Sequence, residues 1–143
     1  MYLPEEDRKL IEVCYTPAQF ELYKESFDIV VVVDVLRATS AMTTAMHFGV
    51  EKIIPVATIE EAKEYQAQGF IVGAERDGAV VEGFDFGNSP YVYIERDMQG
   101  KTVVMTTTNG TKAIHLASTA DTVVIGCLNN LQVLCDWLIK QHK

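Results

Sequence analysis

The sequence predicts an α/β protein: a three-layer, mostly parallel sheet with helices on both faces. Short apolar runs rich in β-branched residues alternate with longer segments of helical character along the 143 residues. Residues 28–33 are almost continuously β-branched, which is typical of a parallel strand covered on both faces. Thr58 and Glu61 have the spacing of a capping box, which marks the start of a helix. Because alternating strands and helices form right-handed crossover units, most strands are expected to be parallel.

Each predicted strand is a short apolar run, and the first of them is the weakest. The predicted strands are residues 10–15, 28–33, 53–56, 70–73, 102–105 and 122–126. Helices are expected between them, and Gly49 and Gly69 close the first two because glycine favours the helix C-terminus. The predicted helices are residues 38–48, 58–68, 112–117 and about 131–141. Residues 1–143 are therefore interpreted as a single α/β domain.

Residues 75–89 interrupt the regular alternation. This segment combines glycines with four carboxylates and two phenylalanines. A loop of this length in a small domain is usually either functional or disordered, and the phenylalanines argue against disorder. We interpret it as an ordered loop that lies over the strand ends.

Composition excludes several classes of protein. A net charge of −8 argues against a broad nucleic-acid surface, which needs clustered lysine and arginine. No apolar run approaches the length of a membrane span, and the first residues lack a basic, then apolar, signal sequence, so the cytoplasm is the default expectation. The three cysteines show no C-x-x-C spacing and are interpreted as reduced packing residues.

Residues 106–111 are interpreted as a loop that handles an oxyanion. The loop follows an apolar strand, turns through Asn109 and Gly110, and leads into a helix. A helix N-terminus presents unpaired N–H groups and partial positive charge, and Thr107, Thr108 and Thr111 add hydroxyl donors. Gly110 is proposed at this position because glycine tolerates a positive φ and lets an anion approach the backbone.

Two further junctions carry candidate site residues. Asp34 and Arg37 follow the central strand, where a carboxylate needs a cation, a metal or donors, and Thr39 adds a hydroxyl. Glu75 and Arg76 repeat this arrangement after a later strand. Because ligands bind at the carboxyl ends of parallel strands, Asp34, Glu75 and Thr107 are expected to meet on one rim.

Each of these residues also has a plain structural interpretation. Asp34 could cap the helix that follows it, and Thr39 could be a helix-start residue. Arg37 could pair with Asp34 or be exposed, while Glu75 and Arg76 could be surface charges of a solvated loop. The residue types alone leave these alternatives open.

Several known phosphate-binding devices are missing from the sequence. The chain has no G-x-x-x-x-G-K-[ST] loop, no G-x-G-x-x-G after a strand and no G-x-S-x-G elbow. A Cys-x5-Arg phosphatase loop is also absent. Hard oxygen ligands without thiolate or imidazole clusters favour Mg²⁺ over zinc.

Four blocks occur in order and carry a family resemblance: residues 31–39, 73–76, 82–90 and 106–111. Together they resemble the 2-phosphosulfolactate phosphatase family. The resemblance implies an α/β fold and a Mg²⁺-dependent phosphatase that releases phosphate from 2-phosphosulfolactate, a step in one route to coenzyme M. It places Asp34 and Glu75 near the metal as catalytic residues, together with Arg37. It assigns the substrate's anionic groups to Arg37, Arg76, Thr39 and the loop of residues 107–111.

Members of the resembled family are substantially longer than this chain and have a second α/β portion. The chain is therefore expected to correspond to the N-terminal portion of that architecture. Two functions follow as hypotheses: a phosphatase acting on a small anionic phosphomonoester, or a catalytically incomplete module that binds a small phosphorylated or sulfonated acid. Exposed apolar surface would also favour a homo-oligomer, whereas no nucleic-acid or membrane partner is expected.

Overall fold

A computed structural model describes residues 10–23 and 26–141. The remaining residues of the predicted domain 1–143, including His142 of the sequence, lie outside the described ranges. Six strands are described: β1 Ile29–Val33, β2 Lys52–Pro55, β3 Ile71–Arg76, β4 Ala79–Val80, β5 Thr102–Thr106 and β6 Thr122–Gly126. Five α-helices are described: α1 Ala38–His47, α2 Ile59–Ala67, α3 Pro90–Glu95, α4 Gly110–Ala117 and α5 Leu131–Lys140. Short 3-10 helices occupy Pro17–Leu22 and Leu128–Asn130.

The strands form two sheets. Strands β2, β5 and β3 are parallel neighbours in a four-stranded sheet of order β2-β5-β3-β4, and β4 adds antiparallel to β3. Strands β1 and β6 form a separate parallel pair, in register from Ile29 opposite Thr122 to Val33 opposite Gly126. The α/β class and the mostly parallel strand direction are therefore confirmed.

Helices cover both faces of the four-stranded sheet. Alternate residues of β5 belong to different apolar clusters: Val103 and Met105 to one, Val104 to the other. The first cluster includes buried residues of α1, such as Ala41 and Met42, and the second includes residues packed around α2. This division follows from the period of two along a strand, which points neighbouring side chains to opposite faces.

Residues 10–15 do not form the predicted first strand. Leu10 is 69% exposed and Ile11 is 83% exposed, and this segment pairs with no strand among the described residues. An apolar run without a partner gains neither ladder hydrogen bonds nor burial, so the strand prediction was wrong.

Strand β3 is longer than predicted and changes the position of a candidate residue. The sequence placed Glu75 and Arg76 after a strand, whereas both lie in β3 and pair with β4. The reason is a tight turn at Asp77 and Gly78, which have φ values of 53° and 83° and reverse the chain. The rest of the predicted 75–89 loop, after β4, is ordered against β3, because Ala74 N–H donates to Phe86 O at 2.9 Å.

None of the described helices is long and apolar enough to cross a membrane.

Candidate functional site

A cavity of about 250 Å³ lies where the loops after β1 and β5 meet the β3–β4 turn. It is lined by Asp34, Leu36, Arg37, Glu75, Asp77, Gly78, Asn88, Thr108 and Asn109. Five of the residues singled out in the sequence therefore share one cleft, at the end of the parallel strands where ligands bind in such sheets. Their functional roles remain predictions.

Asp34 follows β1 directly, and its backbone is held in place by Thr39. The Asp34 N–H donates to Thr39 Oγ1 at 3.0 Å, and the Thr39 N–H donates to Asp34 O at 3.0 Å. Thr39 is fully buried and shapes the turn into α1, so its hydroxyl does not line the cleft. No donor to the Asp34 carboxylate is found in residues 10–23 and 26–141. That carboxylate is therefore available to an external cation.

Arg37 reaches across the cleft to a different segment. Its Nη2 donates to Asn88 Oδ1 at 3.0 Å and to Gly78 O at 3.4 Å. Within the described part of the chain Arg37 forms no ion pair with Asp34, so the pairing alternative is not what the structure shows. The guanidinium therefore lies in the cleft held by two neutral acceptors.

Glu75 is 6% exposed and connects the β3–β4 turn to the loop after β5. The Gly78 N–H donates to Glu75 Oε1 at 2.5 Å, Thr108 N–H donates to Oε2 at 3.2 Å, and Thr108 Oγ1 donates to Oε1 at 3.1 Å. Burial alone would raise the pKa of Glu75. The hydrogen bonds from Gly78 and Thr108, with the nearby Arg76 charge, outweigh burial and lower that pKa below its ordinary value of 4.5.

The threonine loop before α4 uses most of its donors internally. Thr107 and Thr111 are buried, and their backbone N–H groups donate to each other's hydroxyl oxygens at 3.1 Å. The Thr108 N–H is taken by Glu75. Among the described residues, no acceptor is found for the N–H groups of Asn109 and Gly110. The start of α4, rather than the whole loop, is therefore the place where an anion could find free donors.

Gly110 is required for close packing and not for an unusual backbone. The tolerance of glycine for a positive φ is not used here, because Gly110 is not among the residues with positive φ in the described ranges. A Cβ added at Gly110 would lie 2.9 Å from Asp34 Oδ2 and would collide with the Ala38 side chain. The absent side chain lets α4 begin directly against the Asp34 carboxylate and the start of α1.

Arg76 points away from the cleft. Its Nη1 donates to the Glu75 carbonyl at 2.6 Å, and its Nη2 donates to Thr106 Oγ1 at 2.9 Å and to Ala57 O at 3.4 Å. Arg76 is not among the residues that line the cavity. The structure thus gives Arg76 a position that ties β3 to β5, and its predicted contact with substrate remains a prediction.

Sequence reasoning missed two polar residues of the cleft. Asn88 accepts a hydrogen bond from Arg37, and Ser89 is the residue that precedes α3. Asp77 lies in the β3–β4 turn and lines the same cavity. The one available signal was their place in a loop expected over the strand ends.

The cleft offers oxygen atoms that could bind a metal ion, but only a few side chains supply them. No group of three or more His, Cys, Asp or Glu side chains is close enough to hold a metal ion within residues 10–23 and 26–141. The cavity does carry three carboxylates, from Asp34, Glu75 and Asp77. Mg²⁺ is commonly held by one or two carboxylates together with water and phosphate oxygens, so this donor set fits Mg²⁺ bound jointly with a phosphate.

The fold and the cleft define a class of protein: an α/β domain with a polar cleft at the carboxyl ends of its parallel strands. A family model described as 2-phosphosulpholactate phosphatase matches residues 14–143. The chain belongs to this family.

The similar curated proteins share this description. A protein named probable 2-phosphosulfolactate phosphatase from Clostridium acetobutylicum is 46% identical over 114 residues, which cover 77% of this chain and 48% of the relative. Its counterpart in Caldanaerobacter subterraneus is 42% identical over 118 residues, covering 80% and 49%. A third, from Carboxydothermus hydrogenoformans, is 40% identical over 132 residues, covering 91% and 54%. The chain thus spans about half the length of the curated relatives it matches.

Proposed function

We propose that this chain forms the metal- and phosphate-binding part of a phosphatase that uses Mg²⁺ to hydrolyse the phosphomonoester of a small acid. The observation that carries the proposal is the convergence, in one cleft, of three groups: the Asp34 carboxylate, which accepts no hydrogen bond from the described residues, the Arg37 guanidinium and the start of α4. The names of the relatives support 2-phosphosulfolactate as the substrate, which would connect the chain to coenzyme M synthesis.

The charge of the cleft supports a role for a cation. Three carboxylates and one guanidinium line the cavity, so the cleft repels a phosphate dianion. A bound divalent ion reverses this local balance. Asp34 would hold Mg²⁺ directly, and Glu75, whose oxygens already accept three hydrogen bonds, would act through water. When bound, Mg²⁺ would neutralise phosphoryl charge and lower the pKa of a water molecule.

The chain's own residues would bind and orient the phosphoryl group. Arg37 would offset its charge from one side of the cleft, and the N–H groups of Asn109 and Gly110 would donate from the start of α4. Glu75 would keep the turn and the loop that carry these donors in place. Donors fixed before the substrate arrives stabilise developing charge without a cost of reorganisation.

The second candidate is a binding module without turnover. The chain spans about half the length of its relatives, so the site of a full-length relative can receive further residues from the other half. An open cleft also admits water, which weakens charge interactions. On this alternative the chain holds a small phosphorylated or sulfonated acid and releases no phosphate.

An assay of phosphate release separates the two candidates. We expect the chain to release phosphate from 2-phosphosulfolactate when Mg²⁺ is present, and to lose this activity with EDTA. Asp34→Asn should lower the rate at least tenfold, whereas Glu64→Gln on the exposed face of α2 should leave it unchanged. Substrate binding without phosphate release would favour the binding module. Phosphate release at the parent rate in the presence of EDTA and in Asp34→Asn would refute the proposed site.

A further inference from the structure

We propose that Asn88 has two roles in the cleft: its side-chain carbonyl positions Arg37, and its amide nitrogen donates a hydrogen bond to the bound anion. The second role rests on the proposed function, because it concerns the anion of that site. The first role concerns the geometry of Arg37 and can be tested without any ligand.

Asn88 is a built-in part of the cleft. It lines the cavity, yet the residue is 4% exposed. Its neighbours fix the backbone on both sides: Phe86 bridges to Gly73 of β3, and Pro90 begins α3. A side chain held this firmly has little freedom to lose when it binds, which favours a role in positioning.

The contact with Arg37 sets the orientation of the Asn88 amide. Arg37 Nη2 donates to Asn88 Oδ1 at 3.0 Å, and a guanidinium has donors and no acceptor. The carbonyl oxygen of Asn88 must therefore face Arg37, and the NH₂ group must face another direction.

The NH₂ group of Asn88 has no hydrogen-bond partner among the described residues. In the same ranges the Tyr93 hydroxyl is the single fully buried side-chain polar atom that lacks a hydrogen-bond partner. Since Asn88 Nδ2 also lacks a partner but is not fully buried, it is accessible to solvent or to a ligand. A donor on a nearly buried side chain that lines an anion cleft is suited to a phosphate or sulfonate oxygen.

Asparagine has a further advantage over aspartate at this position. A carboxylate at 88 would pair with Arg37 more strongly, but it would neutralise that charge and add a fourth carboxylate to the cleft. The neutral amide holds the guanidinium and leaves its charge for the anion. It also contributes a donor that an aspartate would lack.

The positioning role is tested through the chemical reactivity of Arg37. Phenylglyoxal modification is followed by peptide mapping in the parent, Asn88→Ala and Asn88→Asp proteins, without ligand. We expect Arg37 to react about fivefold faster in Asn88→Ala, which loses one hydrogen bond to Arg37. In Asn88→Asp, which keeps the acceptor and pairs with Arg37 more strongly, Arg37 should react no faster than in the parent. Arg96, which lies over the Phe86 ring at 5.4 Å, is the internal reference for general loosening of this loop. Equal Arg37 reactivity in parent and Asn88→Ala, or a parallel rise at Arg96, overturns the positioning role.

The donor role is tested by calorimetric titration of inorganic phosphate in the presence of Mg²⁺. We expect Asn88→Asp to weaken phosphate binding about tenfold or more, because a hydrogen bond to a charged group is lost and a negative charge is added. The matched control is Gln68→Glu, the same amide-to-carboxylate change at an exposed residue after α2. Equal affinity in parent and Asn88→Asp overturns the donor role. A parent that binds no phosphate overturns the proposed function together with the donor role, and Arg37 reactivity still decides the positioning role.

Discussion

Glu75 connects two of the segments that line the cleft. Its carboxylate accepts from Gly78 and Thr108, so one side chain joins the β3–β4 turn to the loop that precedes α4. Its folded-state pKa lies below its ordinary value of 4.5. A lowered carboxyl pKa contributes stability that is complete above the unfolded-state pKa and is lost as pH falls through the folded-state value.

This linkage predicts a pH-dependent effect of Glu75→Gln. At pH 7 the substitution should cost about 2 kcal/mol, because a single amide oxygen replaces two charged acceptors and the amide nitrogen faces an N–H donor. The difference between parent and variant should be smaller at an acid pH below the folded-state pKa of Glu75, where the parent carboxylate is protonated as well. Urea unfolding at both pH values measures this, with Glu64→Gln on the exposed surface as control. A stability difference that is the same at both pH values would contradict the role of the Glu75 charge.

Residue types were predictable from the sequence, but their partners were not. The convergence of Asp34 and Glu75 followed from their positions near strand ends. Thr107, which was expected on the same rim, is buried and does not line the cleft. The burial of Thr39 and the internal pairing of Thr107 did not follow from the sequence, because a hydroxyl binds a ligand or the backbone with the same chemistry.

At the scale of elements, contacts close in sequence were easier to predict than distant ones. The capping box at the start of α2 is confirmed: Thr58 Oγ1 accepts from Glu61 N–H at 3.1 Å, and Glu61 Oε2 accepts from Thr58 N–H at 3.0 Å. These partners are three residues apart, so the local pattern contains both. The contact of Arg37 with Asn88 joins residues 51 positions apart and depends on how the chain folds.

The start of α4 is an element-scale feature that depends on one missing methyl group. Gly110→Ala should lower the free energy of unfolding by about 1–3 kcal/mol, because the new Cβ would press on Ala38 and on the Asp34 carboxylate. Displacement of Asp34 should also weaken Mg²⁺ binding. Urea unfolding and Mg²⁺ calorimetry on the same protein measure the two effects.

The control for Gly110→Ala is Gly87→Ala. There the added Cβ would have its nearest atoms at 3.5–3.6 Å, an ordinary contact distance. Its stability should stay close to that of the parent. If Gly110→Ala were as stable as Gly87→Ala, the close packing of α4 against Asp34 would not be important.

At the scale of the whole molecule, one side of the fold carries much exposed apolar surface. No residue of α5 is buried, and Val133 and Ile139 are 73% and 72% exposed. Each strand of the β1–β6 pair has an outer edge without a strand partner in the described ranges. Apolar surface and open strand edges of this kind favour association. The α/β class was predictable from the alternation of strand and helix segments along the sequence. The separation of β1 and β6 from the larger sheet was not predictable, because the sequence of a short strand does not show which strand it pairs with.

We expect this surface to promote self-association, and the homo-oligomer remains a prediction. Trp137, the single tryptophan of the sequence, is 38% exposed on α5 and should shift its fluorescence to shorter wavelength as protein concentration rises. Val133→Lys should abolish the shift and give a monomer by light scattering. The control is Ile94→Lys, which also replaces an aliphatic residue by lysine, at a 48% exposed position on α3. Its fluorescence shift and light scattering should match those of the parent. A parent that stays monomeric at high concentration would contradict this expectation.

The central claim is that Asp34 and a divalent cation make an acidic cleft bind phosphate. Calorimetric titration of inorganic phosphate into the parent and into Asp34→Asn, each with and without Mg²⁺, tests it most directly. We predict that Mg²⁺ strengthens phosphate binding to the parent by at least about tenfold, a coupling of about 1.4 kcal/mol, and that Asp34→Asn removes this gain. Phosphate binding that is equal with and without Mg²⁺, or a Mg²⁺ effect that survives in Asp34→Asn, would contradict the claim.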